Sequence, residues 1–373
     1  MPQDLSSRFK PCLSTQAVSV PEDFADYITQ EKALIVQCHD KTNTVNIDII
    51  LNANAPFEYK PEKTTDKVLI CIHGLLDSPF TMHDLGQYFA KRGYLVQGVR
   101  LPGHGTRPGD LLNVSVDHWL QVIHEAIESA QKIAEKVYLL GFSGGASLAL
   151  YHSLMRKDIH GVITLAPSFK LLNKAAYLSG LVNIYGAYRG KIHWFNRQAE
   201  YDYARYECFP ANLALQALKL AQRLSKAFAS TVLKTPWQLI LTQEDETICS
   251  KTALKLFRQL PNTDNQALIY TKKMPAFVSA DNVEYRISRH LQDNILDFSH
   301  ISLPICPNNP HYGIHGDQLQ QIMPMLKSYQ SEKVMKGAIS KKNRQNYRLQ
   351  RLTYNPDFDY MTQKIETFLN KIR

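Results

Sequence analysis

One serine of this chain stands in a context that suits nucleophilic catalysis. The run Gly141-Phe142-Ser143-Gly144-Gly145 has the G-x-S-x-G pattern, in which small neighbours allow a tight turn around the serine. The pattern is weak by itself, but KVYLLGF before it predicts a strand and ASLALYHSLM after it predicts a helix. A strand–turn–helix is the context that the motif requires, so Ser143 is the predicted nucleophile. The competing interpretation is a plain glycine turn.

A serine nucleophile needs a base, and the base needs an acid that orients it. The expected chain order is serine, acid, histidine. Asp245 follows the predicted strand WQLILT by a short loop and is the preferred acid, with Glu244 and Glu246 as rivals. His300 follows an apolar run that predicts a strand, and it is the preferred base. His290 is kept as an alternative base.

The turn after the first regular strand supplies a second chemical feature. The buried-strand run KVLICI ends at His73-Gly74-Leu75. A turn at this point directs a backbone N–H toward a developing negative charge, and we predict that Leu75 and Gly144 donate these hydrogen bonds to an oxyanion. His73 is expected to brace the loop and is not the predicted base.

Other histidines raise the question of a metal. His311 and His315 are four residues apart, but they lie in PNNPHYGIHGD, where proline and glycine exclude a regular helix. We therefore predict no metal site. GxxxxGK[ST] and GxGxxG loops are also absent, so we predict no phosphate-binding or dinucleotide cofactor.

Strands and helices alternate around these motifs. Four apolar runs between residues 67 and 167 are separated by helical patterns, and the alternation resumes at 237–242. This order predicts βαβ units and a mostly parallel sheet. Apolar runs with little internal alternation fit strands that are covered on both faces. The predicted fold class is α/β.

Three segments fall outside the alternation. Residues 170–235 are helical and aromatic, and they predict a cap inserted between the core segments 61–169 and 236–373. Residues 1–60 form an N-terminal extension in which 33–37 and 45–51 predict edge strands. Residues 308–351 form a basic insertion. Its run 327–351 is interpreted as a solvated surface, with an anionic membrane surface as the alternative partner.

Composition sets wider limits. The chain has 373 residues, 44% hydrophobic and 21% charged, which is typical of globular proteins. The net charge of +9 favours contact with polyanions, although we expect no nucleic-acid partner. The first residues lack the apolar segment of a secretory signal, and no apolar run approaches the roughly 20 residues that span a bilayer. The cytoplasm is therefore the default location, with export by a route without such a signal as the alternative.

Taken together, these motifs resemble the α/β-hydrolase superfamily, and within it the bacterial carboxylesterases and monoacylglycerol lipases. The resemblance covers about residues 65–305 and the closing helix, and it includes the loop Leu101-Pro102-Gly103-His104-Gly105. It implies a serine hydrolase that cleaves small-molecule or lipid carboxylic esters through an acyl-enzyme, without a cofactor. It also implies that His104 is structural and that residues 170–235 form the cap that shapes the acyl pocket.

The sequence departs from the family pattern in three places, and other activities remain open. The interval from Asp245 to His300 is longer than usual, and the extension and the insertion are additional. Thioesterases, amidases and acyltransferases use the same triad. The non-enzymatic alternative is a membrane-surface binding protein that uses the basic run 327–351.

Because the histidine base must be neutral to accept the serine proton, the activity is expected to fall below roughly pH 6.5.

Overall fold

The computed structural model describes residues 7–12, 19–39, 45–170, 172, 194–197, 201–276, 281–318 and 334–372. The strands of these ranges are β1 (Phe57–Tyr59), β2 (Lys67–Ile72), β3 (Leu95–Val99), β4 (Lys136–Phe142), β5 (Gly161–Leu165), β6 (Trp194–Asn196), β7 (Phe209–Pro210), β8 (Trp237–Thr242), β9 (Gln266–Thr271), β10 (Val283–Ile287), β11 (Met335–Gly337) and β12 (Leu349–Arg351). The α-helices are α1 (Phe24–Cys38), α2 (Ile47–Asn54), α3 (His83–Ala90), α4 (Val116–Gln131), α5 (Gly144–Met155), α6 (Ala211–Ser230), α7 (Ser250–Arg258), α8 (Lys341–Asn346) and α9 (Phe358–Lys371).

Eight of these strands form one sheet in the order β1-β3-β2-β4-β5-β8-β9-β10. Strand β1 runs antiparallel to β3 at one edge, and every other neighbouring pair is parallel. Helices cover both faces: Trp119 belongs to the core on one side, and Phe89 and Phe368 belong to the core on the other. The structure confirms the predicted α/β class. Because the strands are parallel, the loops after β2, β4 and β8 meet at one edge of the sheet.

The N-terminal extension is helical where strands were predicted, so the prediction of edge strands over 33–37 and 45–51 is wrong. Residues 33–37 lie in α1, and residues 47–51 lie in α2. The side chains of Asp23 and Asn46 cap the two helices by accepting hydrogen bonds from backbone N–H groups. Branched side chains such as Ile35 are buried on one face of the helix. Capping and burial therefore outweigh their preference for strands.

Helix α1 supports the loop that follows β3. The buried Tyr27 hydroxyl accepts a hydrogen bond from the backbone N–H of Arg100 at 3.3 Å and donates one to its carbonyl at 3.2 Å. The Arg100 guanidinium forms an ion pair with Glu31 and donates to the carbonyl of His104. The extension thus holds the Pro-Gly-His-Gly loop in place, a role that no sequence motif predicted.

A disulfide joins Cys12 to Cys38, with the Cα atoms 5.6 Å apart. It ties residues 7–12 to the end of α1, and the N–H of Gly109 donates to the carbonyl of Arg8 nearby, at 2.9 Å. No spacing rule predicted this pair from the sequence. Disulfides are typical of oxidising compartments. An oxidising compartment therefore competes with the cytoplasm, and the cytoplasmic location stays a prediction.

The predicted cap and the predicted basic insertion are described in part. In the cap, β6 and β7 form an antiparallel pair, and α6 packs against α4 and α5. In the insertion, β11 and β12 form a parallel pair. Residues 173–193 of the predicted cap and 319–333 of the insertion lie outside the described ranges. Among the helices of the described residues, none is long and apolar enough to cross a bilayer.

Candidate active site

Ser143 sits on the turn between β4 and α5 with a backbone φ of 53° and ψ of −115°. Positive φ is unfavourable for a residue that has a Cβ. The turn closes only with small neighbours: a Cβ on Gly145 would lie 2.2 Å from the carbonyl oxygen of Ile72, and one on Gly141 would lie 2.5 Å from that of Gly145. This strained turn exposes the serine hydroxyl at the carboxyl edge of the sheet.

Ser143, His300 and Asp245 form one chain of hydrogen bonds. Ser143 Oγ lies 2.8 Å from His300 Nε2, and His300 Nδ1 lies 2.6 Å from Asp245 Oδ2. With a proton on Nδ1 facing the carboxylate, Nε2 of the neutral ring can accept the proton of the serine. His300 and Asp245 are 4% and 7% exposed. The structure therefore brings the three predicted residues together.

The loop after β8 fixes the Asp245 carboxylate. Its Oδ1 accepts hydrogen bonds from the backbone N–H groups of Thr247 and Ile248, each at 2.8 Å, while Oδ2 faces His300. Both oxygens are engaged, so the carboxylate cannot rotate away from the imidazole without losing these bonds. This arrangement keeps the ring in one tautomer and orientation.

The rival acids and bases have other partners. Glu244 accepts a hydrogen bond from the backbone of Lys272, and Glu246 accepts one from the backbone N–H of His300 at 3.0 Å. The ring of His290 stacks on Phe298. His311 forms ion pairs with Asp202 and Asp317, which hold a buried corner between the cap and the insertion. Across the described parts of the chain, no three His, Cys, Asp or Glu side chains are grouped as a metal site requires.

Leu75 and Gly144, the predicted oxyanion donors, line the cavity that contains the serine. The two residues lie close together: a Cβ atom added to Gly144 would lie only 2.6 Å from Leu75 Cγ. His73 braces this turn: its Nε2 accepts from the N–H of Leu101 at 3.0 Å, and its Nδ1 donates to the carbonyl of Gly74 at 2.7 Å. Burial lowers the pKa of His73 well below its ordinary value, so it is neutral and suited to bracing the loop.

The environment of His300 sets the pH dependence that we expect. Burial lowers its pKa, but the charge and hydrogen bond of Asp245, followed by the charges of Glu246 and Asp77, raise it more, so the net pKa lies above the ordinary 6.5. The base must be neutral to act, so activity is lost as pH falls through this raised pKa. We expect the acid limb of a kcat/KM profile to be centred above pH 6.5, higher than the sequence alone predicted. A limb centred well below that value would contradict this account of the base.

The cavity beside Ser143 has a volume of about 310 Å³ and two kinds of lining. The apolar lining is formed by Leu75, Leu76, Phe209, Leu213, Ala217, Leu220, Ile248 and Ile301. The charged lining is formed by Asp77, Arg205, Glu246 and Arg351. The sequence analysis did not predict that these four charged residues line the cavity. Arg351 belongs to the run interpreted as a solvated surface, and that interpretation does not hold for it, because it faces the catalytic cavity.

The parallel sheet, the strained serine turn and the hydrogen-bonded histidine and carboxylate are features of an α/β hydrolase of the serine type. Comparison with known proteins supplies the family. A family model described as serine aminopeptidase, S33, matches residues 63–274. The chain belongs to this family.

Curated relatives agree with this assignment. The chain is 24% identical to a thermostable monoacylglycerol lipase of Bacillus sp. (strain H-257) over 198 residues, 53% of this chain and 78% of the relative. It is 22% identical to a carboxylesterase of Bacillus subtilis (strain 168) over 223 residues, 58% of this chain and 85% of the relative. The monoacylglycerol lipase of Paleococcus ferrophilus matches with 19% identity and a TM-score of 0.48, covering 58% of this chain and 88% of that chain. The family and the two Bacillus relatives confirm the prediction of an enzyme, a lipase- or esterase-like serine hydrolase.

Proposed function

We propose that this protein hydrolyses carboxylic esters through an acyl-enzyme formed at Ser143. The observation that carries the proposal is the continuous hydrogen-bond chain from Ser143 through His300 to Asp245 at the wall of a cavity. His300 removes the serine proton as Oγ attacks the ester carbonyl carbon, and Asp245 stabilises the imidazolium that forms. The N–H groups of Leu75 and Gly144 bind the oxyanion. His300 then protonates the leaving alcohol, and water that it activates releases the acid.

The cavity supports a substrate with an apolar part of limited length. Its volume of about 310 Å³ is near the lower end of small-molecule sites, which span roughly 300–1,000 Å³. The names of the relatives, a monoacylglycerol lipase and a carboxylesterase, support lipid or small-molecule esters. Short and medium acyl chains therefore fit the cavity better than long ones.

A series of p-nitrophenyl esters from acetyl to palmitoyl tests the proposal. We expect kcat/KM to rise with chain length at first, because each buried methylene adds about 0.8 kcal/mol. It should then fall before palmitoyl, when the chain outgrows the cavity. Equal rates for all chain lengths would contradict this account of the cavity. Absence of turnover with every ester would contradict ester hydrolysis itself.

Amide hydrolysis is the second candidate, because the matching family model is described as a serine aminopeptidase. An aminopeptidase must bind a free α-ammonium group, and Asp77 and Glu246 are the carboxylates that face the cavity. Glu246, however, already accepts from the backbone of His300 and lies 3.3 Å from the Nε of Arg351. We therefore expect p-nitrophenyl esters to be cleaved far faster than matched amino-acid p-nitroanilides. The reverse order in a side-by-side assay would favour the peptidase.

A further inference from the structure

We propose that the ester substrate carries an anionic group, a carboxylate or a phosphate, which Arg205 and Arg351 bind inside the catalytic cavity. This inference rests on the proposed ester hydrolysis and adds the class of substrate to it. The two side chains come from separate parts of the chain, the cap and the end of the basic insertion, and both line the cavity that contains Ser143.

Arg205 carries a charge that has no direct partner among the described residues. Its Nε is shielded from solvent and has no hydrogen-bond partner. Within the described ranges, no carboxylate forms an ion pair with its guanidinium. Burial lowers the pKa of Arg205, but the charge of Asp77, followed by those of Tyr312, Glu207 and Asp202, raises it more, so the group remains charged. The side chain as a whole is half-buried, and shielding part of a charged group from water without direct pairing is costly. The arrangement suits a group that pairs with a charged substrate.

Arg351 brings a second positive charge to the same space. Its Nε is also shielded and lies 3.3 Å from Glu246 Oε1 without the geometry of a hydrogen bond. Burial lowers the pKa of Arg351; Glu246 opposes this shift, and the charge of Arg205 adds to it. The two guanidinium groups therefore repel each other. An anion placed between them removes the repulsion and accepts charge-assisted hydrogen bonds from two planar donor groups.

The acids of the cavity offset this positive charge only in part. Glu246 accepts a hydrogen bond from the backbone N–H of His300 on Oε2, and its Oε1 forms an ion pair with Arg351 at 3.3 Å. Burial raises the pKa of Asp77 to about 6, although the charge of Arg205 opposes the shift. Asp77 is therefore half protonated near pH 6 and mostly ionised at pH 7, so its negative charge weakens only as the pH falls toward 6. The apolar lining can take the hydrocarbon part of the same substrate.

Matched pairs of neutral and anionic esters test the inference. The first pair is 4-nitrophenyl hexanoate and 4-nitrophenyl hydrogen adipate, whose acyl chains have equal length and differ by a terminal carboxylate. The second pair is 1-butyrylglycerol and its 3-phosphate. The readout is the ratio of kcat/KM for the anionic ester to kcat/KM for the neutral one. We expect a ratio of roughly ten or more in at least one pair. The pair that shows it distinguishes a carboxylate in the acyl part from a phosphate in the alcohol part.

Variants that remove a positive or a negative charge from the cavity are expected to change this ratio in opposite directions. Arg205→Met and Arg351→Met remove the charge and keep an apolar stem, so each should lower the ratio about tenfold, the expected loss for one charge-assisted hydrogen bond. Arg205→Lys should restore part of the ratio. Asp77→Asn removes a negative charge and should raise it. The control is Arg223→Met on the exposed side of α6, where Arg223 pairs with Asp117 at 2.6 Å. This control should leave both the ratio and the activity unchanged.

The ratio separates failure of the inference from failure of the proposed function. Both esters are measured on the same preparation, so a loss of folded enzyme cancels. If the neutral ester is preferred in both pairs, or if the arginine variants leave the ratio intact, the inference is overturned while ester hydrolysis stands. If no ester of either kind is cleaved, the proposed function fails, and the inference fails with it.

Discussion

Replacement of Ser143 by alanine is expected to lower kcat for ester hydrolysis by at least about four orders of magnitude. The substitution removes the Oγ that lies 2.8 Å from His300 Nε2, so no acyl-enzyme can form. Alanine fills no more space than serine, and the backbone strain at φ 53° is the same for both residues. The fold should therefore survive, and the loss should appear in kcat.

The measurement is the initial rate of p-nitrophenol release, compared with the melting temperature of the same preparations. Ser153→Ala is a matched control. It is the same chemical change in α5, the helix that follows Ser143, at a buried hydroxyl that donates to the carbonyl of Ala149 at 2.9 Å. We expect this control to retain wild-type kinetics. A Ser143→Ala enzyme that keeps a substantial part of the wild-type rate would remove Ser143 from the mechanism.

Asp245→Asn is expected to lower kcat by about three to four orders of magnitude. An amide cannot supply the negative charge that stabilises the imidazolium. It also favours the tautomer in which the His300 proton lies on Nε2, facing Ser143, so the base cannot accept the serine proton. Asp245 makes the largest of the contributions that raise the pKa of His300. The residual activity should therefore also show an acid limb at lower pH than the wild type.

The lower kcat and the shifted acid limb together distinguish Asp245 from the neighbouring acids Glu244 and Glu246. Glu244→Gln is the control, because Glu244 accepts a hydrogen bond from the backbone of Lys272. We expect it to change kcat little. If Asp245→Asn stayed active while Glu246→Gln lost activity, Glu246 would be the orienting acid, and the hydrogen-bond chain seen in the structure would not be the working one.

The residues of the hydrogen-bond chain were predictable because each has a local signal, although the strand predicted just before His300 is wrong: the last strand before it ends at Ile287, and His300 begins a short 3-10 helix. Ser143 lies in a five-residue motif between a strand and a helix, and Asp245 and His300 follow apolar runs in the expected order. Parallel strands then bring their loops to one edge of the sheet, so the sheet topology makes distant residues neighbours. The long interval between Asp245 and His300 does not disturb this rule.

The charged lining of the cavity was not predictable in the same way. Asp77, Arg205 and Arg351 come from a turn, the cap and the basic insertion, and no spacing connects them. In the sequence Arg351 is one more basic residue of a basic run. Only the folded chain shows that it faces the same cavity as Ser143. The Cys12–Cys38 bond escaped prediction for the same reason.

The extension failed prediction for a different physical reason. Its apolar runs contain branched residues that favour strands in isolation, but Asp23 and Asn46 supply helix caps. Packing of Tyr27 on Arg100 then places α1 against the loop after β3. The signal that the sequence offered was a helix N-cap residue ahead of each run of β-branched residues. The preference of those residues for strands obscured it.

Mapping of a covalent adduct tests the central claim most directly. The wild-type protein is treated with an alkyl fluorophosphonate, its intact mass is measured, and the modified peptide is sequenced by mass spectrometry. The account predicts one phosphonyl group per chain, on Ser143, with loss of esterase activity in step with labelling and no label on Ser143→Ala. A label on another residue with the same loss of activity, or full activity with Ser143 labelled, would contradict it.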